Sequence, residues 1–216
     1  MPRAVFLTGA SGFMGRRLTA ELLRRGHSVR GLVRSGSESR AAQGCDVVIG
    51  DPLNRASYAH RVAGCDTFVQ LVGVAHPSPA KAAQFRSVDL ASATQAVQAA
   101  SGAGIAHFVY VSVAQPAPVM HAYIAARREA EDAIRASSLN ATILRPWYVL
   151  GPGRRWPVFL VPVYRLMEAI PSTRDAARRL GLVTAEQMIA ALADAVDHPA
   201  NGVRIVEVPE IRSGIK

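Results

Sequence analysis

Lysine is almost absent from this chain. Only Lys81 and Lys216 occur among 216 residues, so 23 of the 25 basic residues are arginines. With 16 acidic residues the net charge is +9. The arginine pairs at 16–17, 24–25, 127–128, 154–155 and 178–179 are scattered, with no aromatic interleaving, which argues against a dedicated nucleic-acid surface. Cysteine is nearly missing too: Cys45 and Cys65 are too few for a metal cluster or a disulfide framework, so no metal and a reducing cytoplasm are expected. His76 and His121 do not have metal-ligand spacing. No apolar run reaches the ~20 residues that span a bilayer, and "MPRAVFLTGA" does not read as a secretion signal. What remains is 50% hydrophobic, enough for one domain, residues 1–216, with a sizeable core.

Seven short β-rich runs alternate with helical periodicity. The strands read as 4–8, 28–33, 46–50, 67–73, 107–112, 141–145 and 203–208. The first six are almost continuously apolar, the pattern of strands covered on both faces. Helices are expected at 12–25, 54–63, 80–101, 121–138 and 184–197. This alternation predicts an α/β fold, a doubly wound parallel sheet of Rossmann type. Residues 151–182, rich in proline, break the rhythm and read as a small lobe over the substrate side. Within it, Trp156, Phe159, Val163, Leu166 and Ile170 follow helical spacing. Beside Arg154, Arg155 and Arg165 they suit a pocket cover, a partner contact or a membrane surface.

The first strand runs straight into "TGASGFMG". Gly9 permits the tight turn, Gly12 lets a pyrophosphate approach the backbone, and Gly15 lets the next helix lie close to the sheet. Ser11 is the expected N-cap, and the helix start presents free N–H groups to phosphate. The second strand ends at Arg34 and Ser35, where a cofactor with a free ribose 2′-hydroxyl would call for an acidic residue. A guanidinium suits the 2′-phosphate of NADP, so NADP(H) is preferred and NAD(H) stays possible. A solvated surface arginine is the alternative for Arg34.

These features, with "GDPLN" (50–54), "LVGVA" (71–75), "YVSVA" (110–114), "YIAAR" (123–127) and "LRPWYVLGPG" (144–153), resemble the atypical and extended branch of the short-chain dehydrogenase/reductase superfamily. That branch includes epimerase/dehydratase-like, NmrA-like and complex I accessory-subunit-like proteins. The resemblance implies that Gly9, Ser11, Gly12, Phe13, Met14 and Gly15 hold the pyrophosphate and that Arg34 holds the 2′-phosphate. It implies that Asp51 and Pro52 edge the adenine, with Leu71, Val72 and Gly73 at the adenosine ribose. Val111, Tyr123, Arg127, Pro146 and Val149 would surround the nicotinamide half. Tyr123 would be the acid/base, with Arg127 four residues on in place of the usual lysine as its electrostatic partner and ribose ligand. The family's serine or threonine falls on Ala114, leaving Ser112 as an imperfect substrate anchor. Asp89 stands where many relatives have asparagine. Trp147 and Tyr148 line the substrate pocket or pack in the core. Two functions follow: an oxidoreductase or epimerase on a small carbonyl or alcohol substrate, or a non-catalytic dinucleotide sensor or assembly protein. Either would be a monomer or homodimer.

Overall fold

The computed structural model describes residues 1–151 and 179–214. Its centre is a parallel seven-stranded sheet ordered β3-β2-β1-β4-β5-β6-β9. The strands are β1 Ala4–Thr8, β2 Ser28–Val33, β3 Asp46–Ile49, β4 Thr67–Gln70, β5 His107–Val111, β6 Ala141–Arg145 and β9 Val203–Glu207. The chain leaves β1 toward β2 on one side and returns to β4 on the other. That reversal is where doubly wound sheets hold ligands, outside the carboxyl ends of the strands.

Strand alternation sorts the core into two layers. Val5, Leu7, Val69, Val109 and Leu144 face α1 (Phe13–Arg24), α5 (Ala185–Asp197) and α6 (Val208–Ser213). Phe6, Phe68, Phe108 and Ile143 face α3 (Ala91–Gly102) and α4 (His121–Ala136). The rings of Phe6, Phe68 and Phe108 run across three adjacent strands, with centroids 5.2 and 5.3 Å apart. Burying each contributes roughly 1.5–3 kcal/mol. Helix α5 opens on a capping box: Thr184 accepts from the Gln187 N–H, and the Gln187 side chain accepts from the Thr184 N–H.

Several expectations need correction. Residues 54–63 form two 3₁₀ turns, Arg55–Ser57 and Ala59–Arg61, rather than a helix. Asn54 starts the first by accepting from the Ala56 N–H, a local turn that competes with α-helix. The expected helix 80–101 is segmented: a 3₁₀ turn Pro79–Lys81, a short α2 (Ala82–Gln84), a π-helical stretch Phe85–Leu90, then α3. Strand β4 stops at Gln70, so 71–73 belong to the rim. The N-cap of α1 is Gly12, not Ser11, and no side chain caps it. A second sheet, unforeseen, pairs β7 (Tyr148–Leu150) with β8 (Leu182–Thr184). Most of the expected 151–182 lobe, with Arg154, Arg155, Trp156 and Arg165, lies outside the described residues. No helix among the described residues is long and apolar enough to cross a membrane.

At the opposite end of the sheet His107 is fully buried. Its Nε2 lies 3.0 Å from Thr142 Oγ1, and Nδ1 has no hydrogen-bond partner. Burial, assisted by the charge of Arg3, pushes the imidazole down to about 4 from its ordinary 6.5. The unfolded chain therefore takes up a proton that the folded one refuses. The stability contributed by neutral His107 is present above pH 6.5 and is lost as pH falls toward 4. Between pH 7.5 and 5 this loss is about 2 kcal/mol. Urea unfolding at the two pH values should show a His107→Gln variant losing about 2 kcal/mol less than the parent; equal losses would refute the assignment.

Candidate functional site

The glycine loop after β1 is built by close approach. Gly9 adopts φ +75°, a left-handed conformation suited to glycine. A side chain at Gly15 would collide with the Gly9 carbonyl and would come within 2.8 Å of Ala10 Cα, so α1 can lie this near the strand only if position 15 is bare. The Gly12 N–H donates to Gly9 O at 3.0 Å, which fixes the turn. The uncapped start of α1 then leaves first-turn N–H groups and the positive end of the helix dipole for an anion. Phe13 lies under the Arg17 guanidinium, 4.1 Å from ring centroid to Cζ, and against Gly151, where a Cβ would be 2.5 Å from the ring. Met14 packs on the core. Ser11 is half-buried beside them.

Arg34 and Ser35 follow β2 directly and are exposed. Asp51 is exposed after β3, and its Oδ1 accepts from the Leu53 N–H at 2.9 Å, shaping the turn that carries Pro52. The rim after β4 touches the glycine loop: a Cβ on Gly9 would lie 3.4 Å from the Leu71 carbonyl carbon. The glycine loop and the Leu71–Gly73 rim thus meet at the point where the sheet reverses.

Between these rims and α4 runs a buried polar column. Thr8 Oγ1 donates to Gln70 Oε1, Gln70 Nε2 donates to Ser92 Oγ at 3.0 Å, and Ser92 Oγ donates to the Asp89 carbonyl at 3.2 Å. Asp89 Oδ2 accepts from the Val74 N–H at 3.1 Å, and Oδ1 accepts from Arg127 Nη2 at 2.5 Å. Arg127 Nη1 donates to the Val111 carbonyl at 2.7 Å and to the Tyr110 hydroxyl at 3.2 Å. Asp89 is fully buried and Arg127 is 6% exposed. Burial outweighs the opposing pull of Arg127 and the Val74 N–H and leaves the Asp89 carboxyl raised. For Arg127, burial is outweighed by the surrounding partners, so the guanidinium stays charged. Gly73 is bare for the same reason: any side chain there would run into Arg127 Nη2.

The expected site residues therefore take up distinct positions. Tyr123 is half-buried on the first turn of α4, its ring 4.9 Å from that of Phe85 and 5.1 Å from Arg127 Cζ. The terminal nitrogens of Arg127 are taken by protein, while its Nε is buried with no partner. Ser112 is 2% exposed and gives its proton to Glu131 Oε1 at 2.6 Å, so it has no donor left for a substrate oxygen. Ala114 is fully buried, and its N–H donates to the Pro146 carbonyl. Trp147, Tyr148 and Val149 are half-buried, the last two within β7 of the small sheet. His76 and His121 are exposed. Gln70 and Glu131 went unnoticed in the sequence. A polar residue ending an apolar strand and an acid eight positions after Tyr123 on the same helix face were the available signals.

Residues 9–155 match the family described as NAD(P)H-binding. The chain belongs to that family. Its relatives include a ceramide reductase of Caulobacter vibrioides, 28% identical over 210 residues, covering 96% of this chain and 65% of the relative. An uncharacterized sugar epimerase, YhfK of Bacillus subtilis, is 32% identical over 155 residues, covering 66% of this chain and 70% of that one. Thus the chain spans just under two thirds of the reductase's length. Among solved structures, the Bordetella bronchiseptica enzyme WbmH in complex with NAD+ superposes with a TM-score of 0.69 at 19% identity, over 98% of this chain and 79% of that one. The shared fold is the dinucleotide-binding doubly wound sheet.

The buried pair gives a stability prediction. Asp89→Ala leaves the Arg127 charge buried and unpaired, and should lower unfolding free energy by about 3–5 kcal/mol. An Asp89→Leu/Arg127→Met double replacement should lose much less. Denaturant titration of both variants checks this; equal losses would mean that the pair is not what holds α4.

Proposed function

We propose that the protein is an NADP(H)-dependent oxidoreductase that reduces a carbonyl carried on a largely apolar small molecule. The observation that carries this reading is the placement of Tyr123. Its phenol stands half-buried at the start of α4, one helical turn from a charged guanidinium and with its ring against Phe85. The residues fit the cofactor. Bare positions 9, 12 and 15 form a cradle for a pyrophosphate, and Arg127 Nε is a buried donor that a ribose hydroxyl would satisfy. Arg34 and Ser35 would hold the 2′-phosphate, Asp51 and Pro52 would border the adenine, and Leu71, Val72 and Gly73 would border its ribose.

Bound NADPH supplies a hydride. Tyr123 donates its phenolic proton to the carbonyl oxygen as the carbon is reduced, and the product is the alcohol. Arg127 holds a fixed positive charge beside the phenol and orients its ring, while Trp147 and Tyr148 border the substrate. Ser112, already donating to Glu131, offers the substrate oxygen no hydrogen bond, so Tyr123 serves as its principal donor. The name of the ceramide reductase relative supports a reductive direction and a lipid-like substrate.

A second reading, a dinucleotide-binding protein without turnover, is favoured by one observation: Asp89 already pairs the guanidinium that stands in place of the usual lysine. Activity separates the two. NADPH consumption with a panel of long-chain ketones and aldehydes should fall by about 100-fold or more in Tyr123→Phe. Tight cofactor binding with no turnover on any member, unchanged in the variant, would establish the second reading. Arg34→Ala should weaken NADPH by about tenfold, about 1.4 kcal/mol, and leave NADH within about twofold. Equal loss of both cofactors would remove the 2′-phosphate role.

A further inference from the structure

Tyr123, Arg127, Glu131 and Arg135 recur every four residues on one face of α4. The third is a completely buried carboxylate outside the machinery assigned above. Glu131 Oε1 accepts from Ser112 Oγ at 2.6 Å, Gln115 Nε2 at 3.1 Å and Arg145 Nε at 2.9 Å. Its Oε2 accepts from Arg145 Nη2 at 2.5 Å and Arg135 Nη2 at 2.9 Å. Five donors fill the roughly four lone-pair positions that a carboxylate offers. Arg145 continues the chain, donating from Nη1 to Glu207 Oε1 at 3.0 Å. Gln115 is in turn held by Arg128 Nε at 3.0 Å. Burial alone would raise the Glu131 carboxyl, but hydrogen bonds from Arg145 and Ser112 outweigh it and leave it lowered.

For stability alone, a buried ion cluster does no better than packed hydrocarbon, since desolvation offsets the attraction. What the cluster supplies is one geometry. Arg145 ends β6, Ser112 follows β5 and Glu207 ends β9, so Glu131 ties the ends of β5 and β6 to α4 and Arg145 extends the tie to β9. The backbone continues the same arrangement: Ser112 N–H donates to Leu144 O at 2.7 Å and Ala114 N–H to Pro146 O at 3.0 Å, directly before Trp147 and Tyr148. Among the described residues, none of Glu131's hydrogen-bond partners comes from β1 to β4, where the adenine half of a dinucleotide would lie.

We propose that Glu131 is a positioning residue for the nicotinamide and substrate half of the site, acting through Ser112, Gln115 and Arg145 on the rims that follow β5 and β6. The inference rests on the cofactor reading given above. It requires that loosening Glu131 disturbs one half of the bound dinucleotide and spares the other.

Calorimetry with NADPH and with 2′-phospho-ADP-ribose, which lacks the nicotinamide, tests this in the purified parent, Glu131→Gln and Ser112→Ala. The parent should bind both. Glu131→Gln should weaken NADPH by about tenfold and the truncated ligand by less than about twofold. Ser112→Ala removes one of the five bonds and leaves the ion pairs, so it keeps the test open if the first variant folds poorly; it should shift the same ratio in the same direction by a smaller factor. Equal weakening of both ligands overturns the proposal, as does a fall in melting temperature with an unchanged affinity ratio. A parent that binds neither ligand would overturn the cofactor reading itself, and this inference with it.

Discussion

The ion pair between Arg127 and Asp89 is the contact on which the site's architecture depends. It joins α4 to the π-helical stretch before α3, and through the Val111 carbonyl and the Val74 N–H it reaches the end of β5 and the rim after β4. Neither charge has free access to water, so each is tolerable only because the other is there. This requirement propagates. Asp89 must point inward, and in the π-helical stretch both Phe85 and Asp89, four residues apart, are fully buried. Phe85 then supplies the surface against which the Tyr123 ring rests. Gly73 must stay bare to leave room for the guanidinium. A buried guanidinium on one helix is thus accompanied by a helix distortion, a ring contact and a glycine.

Close backbone approach plays the equivalent part at the glycine loop. There the contacts are van der Waals rather than ionic, set by the absence of Cβ atoms at 9, 12 and 15. A helix start with no side-chain cap would ordinarily be a weakness, since a polar cap contributes about 1 kcal/mol. Here the missing cap is what leaves the amides available to a diphosphate. The two halves of the site therefore rest on different forces, and disturbance of one need not reach the other.

Much of this was legible in the sequence because the strands are apolar runs and the glycine motif follows the first of them. Six of the seven expected strands fall within one residue of their observed ends, and the sheet is the parallel one that their continuous hydrophobicity implies. The failures have local causes. Tyr58 and Val62 are buried four apart, which mimics helical period, but Asn54 diverts the backbone into tight turns before a helix can form. Over six residues the period of a π-helix cannot be told from that of an α-helix, so the distortion at 85–90 was invisible. Ser11 has the chemistry of a cap, yet the turn imposed by Gly9 moves the helix start one residue onward. The partners of Arg127 were hidden for a different reason: Asp89 lies 38 positions away, and only the fold brings the two together.

The substitution of arginine for lysine at 127 is therefore more than a preference for one cation. An ammonium is a compact charge with three donors at one point, whereas a guanidinium presents its donors around a planar fork. Arg127 uses one edge of that fork on Asp89 and another on Tyr110 and Val111, which an ammonium at the same place could not do without moving. The remaining Nε–H is buried and unmatched. A buried donor without an acceptor costs about 1–3 kcal/mol. A ligand hydroxyl bonded there would recover that cost as binding energy, while the rest of the fork serves as a strut of the fold.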